Sequence, residues 1–532
     1  MATRAPVQNS KKARHSVIVP EMSTAQLRAA TSNAQLSYVN AGPGSGKTFL
    51  ASEAFGYLRF VRHRHAAAGV VGVTFARSAR RELENRIRVR WGARSVGWPN
   101  SVCTFDEMHR RLLRYLISQG LIVWPGGALL DRPLDSWALH PGATSKPGKK
   151  RKCFLTLDEE GLVSIGWTTS KLLAPNPAFT DRNDFLSALT DGHCTHNEIR
   201  NVLAAAMDGS LHPRFADAIR ECLAGSVCHL VVDEAFDMNL LDTAVVQAAI
   251  DANVPVTVVG DPWQSLYEFR GSSPSAVQKL LVENRFLRID MPGSHRYSTC
   301  EMLKLASALF RGEPFQVLEP ADGEEFDVVL AHDWSALWAE DRISVLPAGV
   351  PSKLDRGRTT SAFVLLLGEV VQAQFGIESS GLVAATRVLE PSDLASQLEE
   401  PLALLRDSAA TEDDIWSSLK GAFGLPCNVK KHEPKKLAKR CLRRLMDVVR
   451  HTDHPALGLT VHQAKGLEWE RVLFLDGALS VSPRFANVLD VNEGSHRSVY
   501  VALTRARSSV RVLKVVSDPY GAQPSQIHHV AV

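Results

Sequence analysis

The segment Ala41-Gly42-Pro43-Gly44-Ser45-Gly46-Lys47-Thr48 constrains this chain more than any other feature. Glycines followed by Lys-Thr at this spacing make a phosphate loop. Such a loop sits between a buried strand and the first turn of a helix, where backbone N–H groups and the helix N-terminus face an anion. Ser37-Tyr38-Val39 supplies the strand. Gly44, Ser45 and Gly46 let the backbone approach phosphates closely, Lys47 reaches the β and γ phosphates, and the Thr48 hydroxyl suits a magnesium ion. The strict pattern begins with glycine; here that position is Ala41. ATP and Mg2+ are the cofactors this arrangement implies.

The rest of a nucleotide pocket is scattered along the chain. Val231-Val232-Asp233-Glu234 is an apolar strand ending in two carboxylates. Asp233 suits the outer coordination of magnesium and Glu234 the polarisation of an attacking water. A second strand runs into Gly260-Asp261-Pro262-Trp263-Gln264, where Gln264 can sense the γ phosphate. Arg296 and Arg505 are candidate arginine fingers, which stabilise charge on a transferred phosphoryl group. Residues so far apart in sequence share one nucleotide only if two lobes close on it.

The pattern between these motifs fits two lobes. β-Branched runs at Val70–Phe75, His229–Val232 and Val254–Val259 alternate with helical stretches such as Arg77–Val89, which predicts a parallel sheet flanked by helices. A second α/β pattern begins near 286, with strands at Phe326–Leu330, Leu382–Thr386, Leu459–Val461, Arg471–Leu475 and Val510–Val515. The predicted organisation is a flexible basic arm over 1–16, a first lobe (1A) over 17–105 and 216–285, and a helical insertion (1B) over 106–215. A second lobe (2A) takes 286–400 and 452–516, interrupted by a basic helical insertion over 401–451, with a flexible tail over 517–532. The fold class is α/β.

Composition excludes little but directs the reading of partners. Hydrophobic residues make up 45% of 532 and the net charge is only +4, so a normal core is available and the molecule is no polycation. The basic residues cluster instead, at Lys11–Arg14, Lys146–Lys152 and Lys430–Arg444, in runs able to follow a phosphate backbone. Eight cysteines without a CxxC pair fit a reducing cytoplasm and suggest no zinc ribbon. No apolar run reaches the ~20 residues of a membrane span, and the polar N-terminus lacks the apolar segment of a secretory signal.

With these residues assembled, the chain resembles the UvrD/Rep-type helicases of superfamily 1, in order from Gln26 to Arg507. Ser23–Gln26 resembles the adenine-reading Q motif, Thr74–Ala79 motif Ia, Thr104–Met108 motif Ib and Asp233–Asp237 motif II. Gly260–Gly271 resembles motif III, Thr460–Trp469 motif V and Tyr500–Arg507 motif VI. The resemblance implies two RecA-like P-loop NTPase lobes, each carrying an insertion, that hydrolyse ATP while moving along single-stranded or tailed DNA, usually 3′ to 5′. It implies that Glu468 contacts the ribose and Arg387 lines the second lobe. Thr74, Phe75, Arg77, Thr104, Phe105, Tyr267, Phe269, Arg270 and His462 would meet the strand. Stacking on aromatic rings binds a strand without reading its sequence.

Departures from the family shape further expectations. Motif II carries Phe236 where glutamine is usual, which would remove a polar link between the ATP and DNA sites. Phe49 and His295 stand where the family places an arginine and a tyrosine, so these two are expected to sandwich adenine. Only 169 residues separate Arg296 from Lys465, too few for a full-size 2B domain; 401–451 is a reduced one. That compactness also fits an alternative: a DNA-sensing ATPase that works with a nuclease in repair or anti-phage defence, similar to the helicase-like subunit of Gabija-type systems, without unwinding alone. A P-loop nucleotide kinase leaves Gln264, Arg296 and Arg505 without a purpose.

Overall fold

In the computed structural model of the chain, the described residues are 22–126, 133–134, 136–137, 140, 142–143, 152–168, 179, 181–209, 212–268, 271–291, 293–349, 364, 367–368, 370–371, 391–423, 433–451, 455–515 and 527–531. The basic arm over 1–16, the strand expected at Leu382–Thr386, Arg387, Phe269 and Arg270 lie outside them.

The first lobe opens with β1 (Leu36–Ala41), β2 (Gly69–Thr74) and β3 (Ser101–Thr104). After the insertion the chain returns through β6 (Val227–Val232), β7 (Val256–Gly260) and β8 (Leu287–Met291). These form one sheet in the order β3-β2-β6-β7-β1-β8, with every pair parallel. β2 and β7 are buried at every position, as expected for strands covered by helices on both faces. β8 corrects the predicted lobe boundary at 285. Its residues Leu287–Met291 pair with Ser37–Ala41, so the first lobe extends through 291. Alternating exposed and buried residues make β8 an edge strand, a weaker signal than the apolar runs at the sheet's centre.

The insertion is not purely helical as expected. β4 (Lys152–Leu157) and β5 (Val163–Thr168) form an antiparallel hairpin in it, beside helices Arg182–Thr190, His196–Met207 and Pro213–Ser226. Leu155, Val163 and Ile165 point inward, and the turn at Asp158–Gly161 closes with Gly161 at φ 91°. This period-two pattern follows a Gly/Pro/Lys-rich stretch, which masks it as loop.

The second lobe holds β9 (Val328–Ala331), β10 (Val345–Pro347), β11 (Ala456–Thr460), β12 (Trp469–Asp476) and β14 (Ala506–Lys514). They form a parallel sheet in the order β10-β11-β9-β12-β14. The three-residue β10 is too short to show a sequence pattern. Among the described residues, helices Pro391–Arg406, Glu412–Phe423 and Glu433–His451 belong to the second insertion. Its core joins Leu398, Leu405 and Leu442 to Trp338 and Leu346 of the lobe. The first of these helices runs across the boundary expected at 400. The tail is corrected too: β15 (His528–Ala531) pairs antiparallel with β13 (Phe485–Val488), so this part of 517–532 is ordered on the second lobe. Ile527 is buried just before it.

Candidate functional site

Adjacency in the first sheet creates the site. β6, β7 and β1 are neighbours, so their carboxyl ends bring Asp233, Asp261 and the phosphate loop to one edge. Ligands of open α/β sheets bind at such carboxyl ends. The loop takes left-handed backbone at Gly44 (φ 71°) and Gly46 (φ 84°), and the helix Lys47–Tyr57 starts directly after it. A Cβ at Gly44 would lie 2.2 Å from Ser294 Oγ and 2.5 Å from Arg296 Cβ. Glycine there thus serves close approach between lobes as well as loop shape. The Ser45 hydroxyl donates to the Gly42 carbonyl at 2.8 Å and holds the turn. Ala41, the departure from the strict pattern, is buried, and its carbonyl accepts from Lys47 Nζ at 3.3 Å.

Lys47 gathers the predicted catalytic charges. Burial lowers its pKa, while Asp261 and Glu234 act to raise it and Arg296 and Arg505 to lower it. Asp233 is buried and pushed up to about 7 by desolvation and by Glu234 beside it; a hydrogen bond from the Thr48 side chain opposes the shift. Its Oδ1 accepts from the Glu234 N–H at 3.0 Å, and its Oδ2 is buried without a hydrogen-bond partner. An orphaned carboxylate oxygen next to a threonine hydroxyl is a donor set suited to a hard divalent cation. Glu234 has left-handed backbone (φ 54°), which turns it out of the strand line. Burial raises its pKa, but Lys465, Lys47 and Arg505 outweigh this and hold it below the usual range, ready as an anion.

The second lobe is shut against this edge. His295 N–H donates to the Gly44 carbonyl at 2.8 Å, and the Tyr500 hydroxyl donates to Asp261 Oδ2 at 2.9 Å. The same Asp261 oxygen accepts from Gln264 Nε2 at 2.8 Å, and Trp263 stacks on Tyr500 at 5.2 Å. Arg505 is buried, and desolvation together with Arg296 pulls its pKa down to about 10. Its guanidinium donates to the carbonyls of Val501 and Leu467. Arg296 donates to Glu468 Oε2 at 2.8 Å and to the Thr504 carbonyl at 2.8 Å. Glu468 is thereby tied to Arg296 at the rim. Gln26 closes a capping box with Ser23, which fixes its amide. Its Nε2 then donates to the Ser45 carbonyl at 3.1 Å and lies 3.4 Å from His295 Nε2. Phe49 is half-buried, and its Cβ would lie 3.8 Å from a Cβ built at Gly46.

The strand-facing predictions divide. Phe75 and Tyr267 stack at 5.5 Å with 18° between their planes, and His462 lies 6.4 Å from Tyr267. Arg77 is exposed at the start of the next helix. Phe105, Thr74 and Thr104 are corrections. The Phe105 ring is packed in the first lobe's core. The Thr74 hydroxyl donates to the Ala76 carbonyl at 3.3 Å, and Thr104 caps its helix in a box with Glu107. All three are buried, so none presents its side chain to a strand in this structure.

Sequence reasoning passed over Asp261, Tyr500, Asp237 and Lys465 as site residues, although each lies in a quoted motif. Phe236 does bury its side chain, edge-on to Tyr38 at 5.9 Å. A polar connection is nonetheless kept one residue later, where Lys465 Nζ donates to Asp237 Oδ2. The signal was available in the spacing of paired charges, but a lone aspartate after an aromatic gives no direction.

The fold and this edge define a two-lobed P-loop NTPase. An AAA-domain family matches residues 24–270, and the UvrD-like helicase C-terminal domain matches 453–515. Over 92% of its length the chain is 26% identical to the ATP-dependent DNA helicase UvrD2 of Mycobacterium tuberculosis (strain ATCC 25618 / H37Rv), covering 78% of that protein. The identity and coverage are the same for ATP-dependent DNA helicase UvrD2 of Mycobacterium bovis. These matches, with the ordered motifs, make the chain similar to the UvrD-like helicases.

Proposed function

We propose that this protein is an ATP-dependent DNA helicase that moves 3′ to 5′ along single-stranded DNA. The observation that carries the reading is the shared edge: Lys47, Glu234, Arg296 and Arg505 from two lobes act on one another around the phosphate loop. Gly44, Ser45, Gly46, Lys47 and Thr48 would hold the triphosphate, Phe49, Gln26 and His295 the base, and Glu468 the ribose. Thr48 and Asp233 would hold Mg2+, and the orphaned Asp233 oxygen fits that use. The metal, when bound, neutralises charge on the outer phosphates. Glu234 orients and polarises water, and Arg296 and Arg505 offset developing negative charge. After hydrolysis that charge leaves, the arginines lose their common ligand, and the lobes separate. Phe75, Tyr267 and His462, with Arg77 beside them, then change their spacing along the strand. Cytoplasmic DNA repair is the setting this activity suits. Among the described residues, no helix is long and apolar enough to cross a membrane.

The small insertion, with three helices among the described residues, favours one alternative: an ATPase that senses DNA for a nuclease or defence partner and does not unwind alone. Two measurements decide. The first is ATP turnover with and without single-stranded DNA. The second is unwinding of 3′- and 5′-tailed duplexes by the purified chain. Turnover indifferent to DNA would overturn both readings, and DNA-stimulated turnover without unwinding would select the alternative.

A further inference from the structure

A second basic surface lies at the opposite end of the first sheet. Residues 57–100 contain ten arginines against two glutamates, a balance of +8 in a chain whose total is +4. The residues outside it sum to −4, so this segment, like Lys430–Arg444, is one of the chain's basic stretches. The helix Arg77–Trp91 begins beside Phe75 and, at 15 residues, runs about 22 Å to the amino-terminal edge of the sheet. There its Trp91 stacks on Phe60 at 5.7 Å, with the Arg90 guanidinium 5.7 Å from the Trp91 ring.

The loop after this helix carries Trp98, which is 95% exposed. That loop is firmly anchored. The Ser95 hydroxyl donates to the Gly92 carbonyl at 2.6 Å, and Asn100 Oδ1 accepts from the Val70 N–H at 3.2 Å. Pro99 lies so close to Gly69 that a Cβ there would meet the Pro99 carbonyl at 1.9 Å. A large indole is thus presented to water on a fixed support, in the same segment as exposed Arg64 and Arg94 and half-exposed Phe60.

We propose that this surface binds a second stretch of single-stranded nucleic acid, outside the cleft, with Trp98 stacking on a base and Arg64 and Arg94 on phosphates. The charge selects a polyanion. The free-standing ring selects a base over an acidic peptide, because a base offers a flat π-face whereas an apolar peptide side chain needs the walls of a pocket. The fixed loop lowers the ordering cost of the contact. The inference rests on the DNA-motor reading only for the nature of the strand.

The test uses the full chain and two labelled oligothymidylates, of about 10 and about 40 nucleotides. Trp98→Ala should weaken the long oligonucleotide by at least about fivefold, since a stacked base contributes ~1–3 kcal/mol. Arg64→Glu/Arg94→Glu should lower the salt slope of that binding by about 1.4, at ~0.7 per phosphate contact on a single strand. Both variants should keep short-oligonucleotide affinity and its stimulation of ATP turnover, which read the cleft alone. Unchanged long-oligonucleotide affinity and salt slope in both variants would overturn the proposal. So would equal losses on the short oligonucleotide. Polyglutamate serves as competitor: if it displaces the long strand in a Trp98-dependent way, the surface is a dock for acidic protein and the nucleic-acid assignment fails.

Discussion

Lys465 reaches across the cleft from the second lobe, donates to Asp237 of the first, and stands 4.9 Å over the ring of Tyr267. One ammonium thus touches both the Asp237 carboxylate and the Tyr267 ring. It is also the leading charge that holds Glu234 ionised. Removing one member of a nearly buried ion pair costs about 3 kcal/mol or more, because the other is left uncompensated. Lys465→Met should keep ATP binding but reduce DNA-stimulated turnover at least tenfold. Asp237→Asn in the same chain should recover part of the lost stability, as a coupled pair requires. Additive losses in thermal melts of the two single variants and the double would refute the coupling.

Glu234 and Asp233 are adjacent carboxylates pushed in opposite directions, one below its ordinary range and one up to about 7. Glu234→Gln removes the anion that polarises water and leaves the phosphate loop intact. ATP turnover should become undetectable, while affinity for a fluorescent ATP analogue stays within about threefold, less than the tenfold of ~1.4 kcal/mol. A variant that no longer binds nucleotide would show that Glu234 shapes the pocket instead.

Arg505 is held in place by carbonyls of its own lobe and carries almost no exposed surface. Its guanidinium is preorganised by these bonds. Arg505→Lys loses the planar fork that keeps those bonds. Turnover should fall by about a thousandfold with nucleotide affinity little changed. Single-turnover rates separate that outcome from slow product release.

Tyr267 and Phe75 stack on each other, so their facing surfaces are occupied in this closed state. A base can enter only when the rings part. Tyr267→Ala should weaken single-strand binding by ~1–3 kcal/mol while leaving ATP affinity in the absence of DNA unchanged. Equal loss of both, measured by anisotropy, would place Tyr267 in the nucleotide pocket's support.

What could be read from sequence was governed by how local the cause is. The phosphate loop, both acidic strand ends and most strands follow from short apolar runs and fixed spacings, and each lies where the pattern puts it. β8 was missed because its pairing with β1 is a contact between residues about 250 apart, and an edge strand hides half its apolar content. Phe105 was read toward the strand because motif position says nothing about which way a ring turns. The sheet decides that, by placing Thr104 as the helix cap and the next side chain in the core. The motif around Lys465 names no partner for it, since only lobe closure brings it to Asp237.

The first lobe also carries an acid-sensitive element remote from the nucleotide. His229 lies in β6 with no exposed surface, its Nε2 2.9 Å from Thr257 Oγ1. Burial pushes its pKa down to about 3, helped by the nearby charges of Arg62 and His63. The native state therefore keeps this ring neutral where the unfolded chain protonates it, near pH 6.5. Stability from this group is fully present above that pH and is lost progressively as pH falls toward about 3. At pH 5 the loss is about 2 kcal/mol. His229→Asn keeps a partner for Thr257 and removes the titration. Its melting temperature should be lower than the parent's at pH 8, and the gap should narrow or invert at pH 5. Parallel melting curves across that range would mean that the ring titrates alike in both states, and that the sheet tolerates a charge there.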